Sequence, residues 1–170
     1  MQLESTVEQN RAILPRMRTT TNGIAALSFL FTVLAAAFAV PAKKIPKQFL
    51  NLDGQKPPGY THVVTSAPGK MIFISGHGGA ARDGTMPPDF ETQATNTFEG
   101  LKRCLALAGA TFSDVVKINY FVNDLSDTTS LRKIRARYLD MEHPPAATLV
   151  QSGLASGQLL EVEVVAILQE

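Results

Sequence analysis

Between Ile24 and Val40 the chain runs IAALSFLFTVLAAAFAV, 17 residues without a charge, with Arg11, Arg16 and Arg18 before it and Lys43, Lys44 and Lys47 after it. No surface helix or strand of a water-soluble domain is uniformly apolar, so this run reads as a targeting or membrane segment. As a helix it would span about 25 Å at ~1.5 Å per residue, short of a ~30 Å hydrocarbon core, which favours a secretory signal peptide over a spanning anchor. Ala37-Phe38-Ala39 and Val40-Pro41-Ala42 supply small-x-small cleavage sites. Three readings of residues 1–42 follow: a cleaved export signal that delivers the protein to the periplasm or beyond, a retained anchor that touches membrane only through residues 24–40, or a mis-called start on a cytoplasmic protein. The chain therefore divides into this leader, a linker over 43–57 and one folded domain over 58–170.

Past residue 42 the chain carries 13 basic and 13 acidic side chains. That balance offers no bulk attraction to phosphates, and no nucleic-acid partner is expected. Cys104 is the single cysteine, which excludes an intramolecular disulfide and a multi-cysteine metal site. His62, His77 and His143 stand at no ligand spacing, so no metal is expected.

Turn signals organise the folded part. Tyr60–Thr65 and Met71–Ser75 flank Pro68-Gly69-Lys70 and read as a β-hairpin over residues 60–75. The glycine-rich Gly76-His77-Gly78-Gly79 follows. Pro87-Pro88-Asp89 then introduces a helix with Asp89 as N-cap, whose Phe90, Ala94, Phe98, Leu101, Leu105 and Ala108 recur at steps of three and four until Gly109 ends it. Asp114–Val122 reads as a strand, Ser126–Met141 as a second helix with Leu131, Ile134, Tyr138 and Met141 on its apolar face, and Ala146–Gln151 and Leu159–Leu168 as two further strands. The order β-β-α-β-α-β-β gives two helices, enough to cover one face of a mixed sheet, an α+β architecture.

The uncovered face is mixed in character. In the last strand Leu160, Val162, Val164 and Ala166 share one side while Glu161 and Glu163 share the other with Val165 and Ile167; in the third, Val116, Ile118, Tyr120 and Val122 oppose Val115, Lys117, Asn119 and Phe121. Such a face is uncomfortable in water, and a symmetric oligomer is expected to cover it.

Phe73-Ile74-Ser75-Gly76-His77, the helix bearing Gln93, Ala108-Gly109-Ala110 with Ser113-Asp114-Val115-Val116-Lys117, Pro145-Ala146-Ala147-Thr148, and Leu160-Glu161-Val162-Glu163-Val164-Val165-Ala166 together resemble the RidA/YjgF family of reactive intermediate deaminases, over roughly Pro58 to Leu168. The resemblance implies a chorismate-mutase-like α+β protomer, a homotrimer closing into a central barrel, and small-molecule pockets between subunits. It also implies cofactor-free hydrolysis of 2-imino or enamine acids, an arginine gripping the substrate carboxylate while a glutamate positions water against the C=N carbon.

Carried over by position, the resemblance makes Glu161 the water-positioning, catalytic glutamate. It assigns Tyr60 to the pocket mouth, Ser75 and Gly76 to the end of the strand, and His77 to the place of a family glutamine. Ala147 stands where active members carry their arginine, and Leu149 where they often carry a cysteine. Loss of the bidentate contact costs on the order of 100-fold in affinity, so efficient 2-imino acid deamination is not expected. The remaining expectations are a pocket diverted to another small molecule, a hydrolase of an imine, enamine or related C=N substrate that lacks the usual carboxylate or has it held by another group such as His77 or an arginine from elsewhere, and a structural or interaction module tethered through residues 24–40. Ser75 and His77 make no nucleophile elbow, the glycine loop lacks a phosphate-binding Gly-Lys-Ser/Thr, Cys104 reads as core, and Arg132, Lys133, Arg135 and Arg137 read as a solvated helix face.

Overall fold

The computed structural model describes residues 46–155 and 157–169. The leader, with its signal-or-anchor reading, lies outside the described residues, among which no helix is long and apolar enough to cross a membrane.

Six strands and two helices follow in the order β1 (Gln48–Leu50), β2 (Val63–Thr65), β3 (Lys70–Gly78), α1 (Phe90–Leu107), β4 (Val115–Val122), α2 (Thr128–Arg135), β5 (Ala146–Gln151) and β6 (Leu160–Leu168). Asp89 caps α1, its side chain accepting the Thr92 N–H at 2.8 Å. The expected stripe of α1 is buried from Phe90 to Leu105, and Gly109 leaves the helix with φ +78°. The second helix is shorter than its apolar spacing suggests. After Arg135 the hydrogen bonds tighten to Arg137 N–H on the Ile134 carbonyl and Tyr138 N–H on the Arg135 carbonyl, both 3.0 Å, so Tyr138 and Met141 pack on the core from turns rather than from helix.

The main sheet has the order β3-β6-β4-β5. β6 lies antiparallel to both neighbours, while β4 and β5 are parallel and are joined through α2. Both helices pack on one face of this mixed sheet around Ile72, Ile118, Tyr120, Val122, Leu160, Val162, Val164 and Ala166, the α+β fold expected.

Three local readings need correction. The hairpin over 60–75 does not form: β2 pairs with β1, inside the stretch read as linker, and β3 pairs with β6. Nine-residue β3 gains a long ladder from nine-residue β6, where three-residue β2 could offer only a short one. Gly69, expected to turn that hairpin, instead admits β6, since a Cβ there would stand 2.5 Å from the Leu168 carbonyl oxygen. Finally, the alternation of β4 breaks at a bulge between Val115 and Lys117, which returns Val115 to the core beside Ile118, Tyr120 and Val122.

Gln93 locks the loops above α1. Fully buried, it donates to the carbonyls of Pro87 and Gly157 at 2.6 and 2.7 Å and accepts the Leu159 N–H at 2.8 Å.

Candidate functional site

The edge strand β5 sets the first half of the site. Its register puts Ala147 across from Ile118 and Leu149 across from Tyr120; Ile118 and Tyr120 face the helices, so Ala147 and Leu149 do as well. Buried Thr61 ties the preceding loop to this edge, its N–H reaching the Pro145 carbonyl at 3.2 Å and its hydroxyl the Pro144 carbonyl at 2.6 Å. Tyr60 is thereby held beside Ala147. A cavity of about 240 Å³ opens here between α2 and β5, lined by Tyr60, Tyr120, Leu131, Arg135, Ala147 and Leu149 among others.

Arg135 overturns the solvated-face expectation. Arg132, Lys133 and Arg137 are exposed, but Arg135 is only 7% exposed. Its guanidinium carbon lies 5.6 Å from the centre of the Tyr120 ring. Gly59, at φ +84°, makes room for it: a Cβ there would stand 1.8 Å from Arg135 Nη2. Arg135 Nε is buried without a hydrogen-bond partner, the buried Tyr120 hydroxyl lies against the guanidinium, and Arg135 forms no ion pair with a described residue. Burial pushes the Tyr120 hydroxyl up to about 12, against the opposing pull of the Arg135 charge, so it remains a proton donor at neutral pH.

The second half lies on the other face of the sheet. Glu161 pairs across to Phe121 and alternates with core-facing Leu160 and Val162, so it points away from the helices. Gln158 donates to its Oε2 at 2.8 Å, and its Oε1 occupies the space a side chain on Gly76 would need, 1.8 Å from an added Cβ. Ser75, with Gly76, sits in a second bulge, between Ile74 and His77, and Ser75 lines a shallow depression with Phe73, Lys117, Asn119 and Glu163. There Asn119 donates to Glu163 at 2.7 Å and Lys117 to Thr148 at 2.7 Å. Phe73 stands 71% exposed on this face.

Comparison with known proteins decides the family. Residues 55–168 match the model of the family described as Endoribonuclease L-PSP. The chain belongs to the RidA/YjgF family. It is 33% identical to Protein DfrA of Myxococcus xanthus over 110 residues, 64% of this chain and 84% of that protein. The solved structure of YyfB, a Rid-family protein of Yersinia pestis, superposes with a TM-score of 0.62 at 26% identity, covering 73% of this chain and all of that one. RidA from an Antarctic Psychrobacter gives 0.55 at 31% identity over 64% of this chain and 88% of its own.

Within one RidA-type protomer, the residues singled out from sequence fall into three places. Tyr60, Ala147 and Leu149 come together in the cavity. Ser75, Gly76 and Glu161 gather on the opposite face. His77 joins neither group: the bulge before it turns its side chain to the helix face, across from Val162 and into the notch left by Gly100, where a Cβ would stand 1.6 Å from its Nε2. Burial, and then the charge of Arg103, hold His77 below its usual value. Arg135 is what the sequence reading missed, and a signal existed. Leu131, Ile134, Arg135 and Tyr138 fall at i, i+3, i+4 and i+7, one helical stripe. The cavity can therefore offer a cation and a phenolic donor to a small ligand, and the opposite face a held carboxylate able to orient water or take a proton.

Proposed function

We propose that this RidA-family chain works as a homotrimer with small-molecule pockets between its subunits, and that it is not an efficient 2-imino acid deaminase of the arginine-dependent kind. The observation that carries this reading is Ala147, whose methyl lines the cavity beside Tyr60 and Leu149, so that β5 offers no cation at that point. The inter-subunit placement is supported by strand parity. Glu161 and the Tyr60 cavity lie on opposite faces of one sheet, so a site using both draws them from two copies, and exposed Phe73 gives the open face a reason to be covered.

A second reading, hydrolysis of an imine or enamine of non-standard shape, is favoured by the way Gln158 and the bare Gly76 hold the Glu161 carboxylate. The run at residues 24–40 would make this an exported or membrane-tethered member. The test is keto-acid and ammonia release from freshly generated 2-iminobutyrate by the full chain beside an Ala147→Arg variant. The expected result is a weak wild type and a variant gaining about 100-fold. A wild type that is active and already as fast as the variant would reject the first reading and mean that a group other than residue 147 holds the carboxylate; silence from both would leave the ligand class to the other readings.

A further inference from the structure

The cavity under α2 holds a charge that no described carboxylate answers. A guanidinium withdrawn from water is ordinarily paired with a carboxylate or phosphate, because burial removes its hydration and returns nothing unless an anion replaces it. Arg135 is 93% withdrawn and its Nε is unpartnered, while the hydroxyl of Tyr120 beside it faces the guanidinium and no carboxylate. The helix end does not account for this. Arg135 sits in the last turn of α2, where carbonyl groups attract cations, but exposed Arg132 and Lys133 occupy the same turn and meet that attraction from solvent. Space has been cleared for the group instead. The backbone at Gly59 is open where Nη2 lies, and the small Ala147 leaves the β5 side of the cavity vacant.

We propose that Arg135 is the anion anchor of this pocket, gripping the carboxylate of a small organic acid from the α2 side with the Tyr120 hydroxyl as a further donor. The inference rests on the pocket reading above and gives it a ligand class. The bound acid carries its carboxylate toward α2 and its apolar part toward Leu131 and Leu149. It also reverses the direction of approach, since a cation on β5 would meet the same carboxylate from the opposite wall. The competing way to neutralise Arg135 is a carboxylate from a second copy of the chain, in which case no free acid binds there.

The test uses the full chain with 2-oxobutanoate and its uncharged amide, 2-oxobutanamide, as probes, read by calorimetry and by the arginine Nε–H resonances. The acid is expected to bind better than the amide and to shift the Arg135 Nε–H signal, which the amide leaves in place. In Arg135→Met the acid should weaken at least about tenfold while the amide is unaffected; Arg135→Lys, which keeps the charge without the fork, should fall between. Should Arg135→Met not fold, the wild-type resonance and the lysine variant carry the test. Acid binding that leaves the Nε–H signal unmoved, or that is equal in wild type and Arg135→Met, overturns the anchor and leaves the pocket standing. Failure of both probes to bind wild type overturns the pocket and the anchor together.

Discussion

Gln93 and Arg135 are both buried polar side chains on the sheet-facing sides of their helices, and the fold treats them in opposite ways. Gln93 uses its amide in three hydrogen bonds to the loops before α1 and β6. Arg135 has the Tyr120 ring, the Gly59 gap and a cavity. A buried polar group that is fully partnered holds a structure together, whereas one left unpartnered beside open space is addressed to something that arrives later.

The largest expected effect tests the first half of that contrast. Gln93→Leu strands the Leu159 N–H and two carbonyls and should cost about 3 kcal/mol in chemical denaturation; a loss under about 1 kcal/mol would break the comparison. Gly76→Ala drives a Cβ into the Glu161 carboxylate and should cost about 2 kcal/mol, the usual scale of overpacking, with the Glu161 carboxyl resonance displaced in NMR spectra. Arg135→Met goes the other way. With no ligand present, removing an unpaired buried charge should leave unfolding free energy unchanged or raised by about 1 kcal/mol, and a large loss would make Arg135 a structural group like Gln93.

The smallest effect concerns His77. Its folded value lies below the ordinary 6.5, so between those two values the unfolded chain takes up a proton that the folded chain refuses. Its contribution to stability is therefore complete above about pH 6.5 and declines as pH falls through the folded value. His77→Gln should flatten that part of a stability-pH profile, and an unchanged slope would remove His77 as its source.

Much of this was legible in the sequence because period and parity were regular. The α1 stripe, its Asp89 cap and the inward set of β6 all follow from spacing alone. What was not legible came from single inserted residues. The bulges at Val116 and at Ser75-Gly76 exchange faces without any local signature, which is why strand parity does not foretell that His77 turns to the helix face and why Val115 was read onto the wrong side. The hairpin over 60–75 failed for a different reason, because two neighbouring extended runs found better partners far along the chain. Arg135 shows a third limit: its position fitted the apolar stripe, but arginines ordinarily lie in solvent, and here the cavity and the gap at Gly59 let position outweigh polarity.

β6 is the final strand in chain order and yet lies between β3 and β4. During synthesis the ribosome must therefore pass Leu168 before the sheet can close, and until then β3 has no strand of the sheet to pair with. A nascent chain stopped short of Leu160 lacks the middle of its sheet rather than a dispensable rim, so C-terminal truncation should abolish folding altogether, where trimming an edge strand would only weaken it.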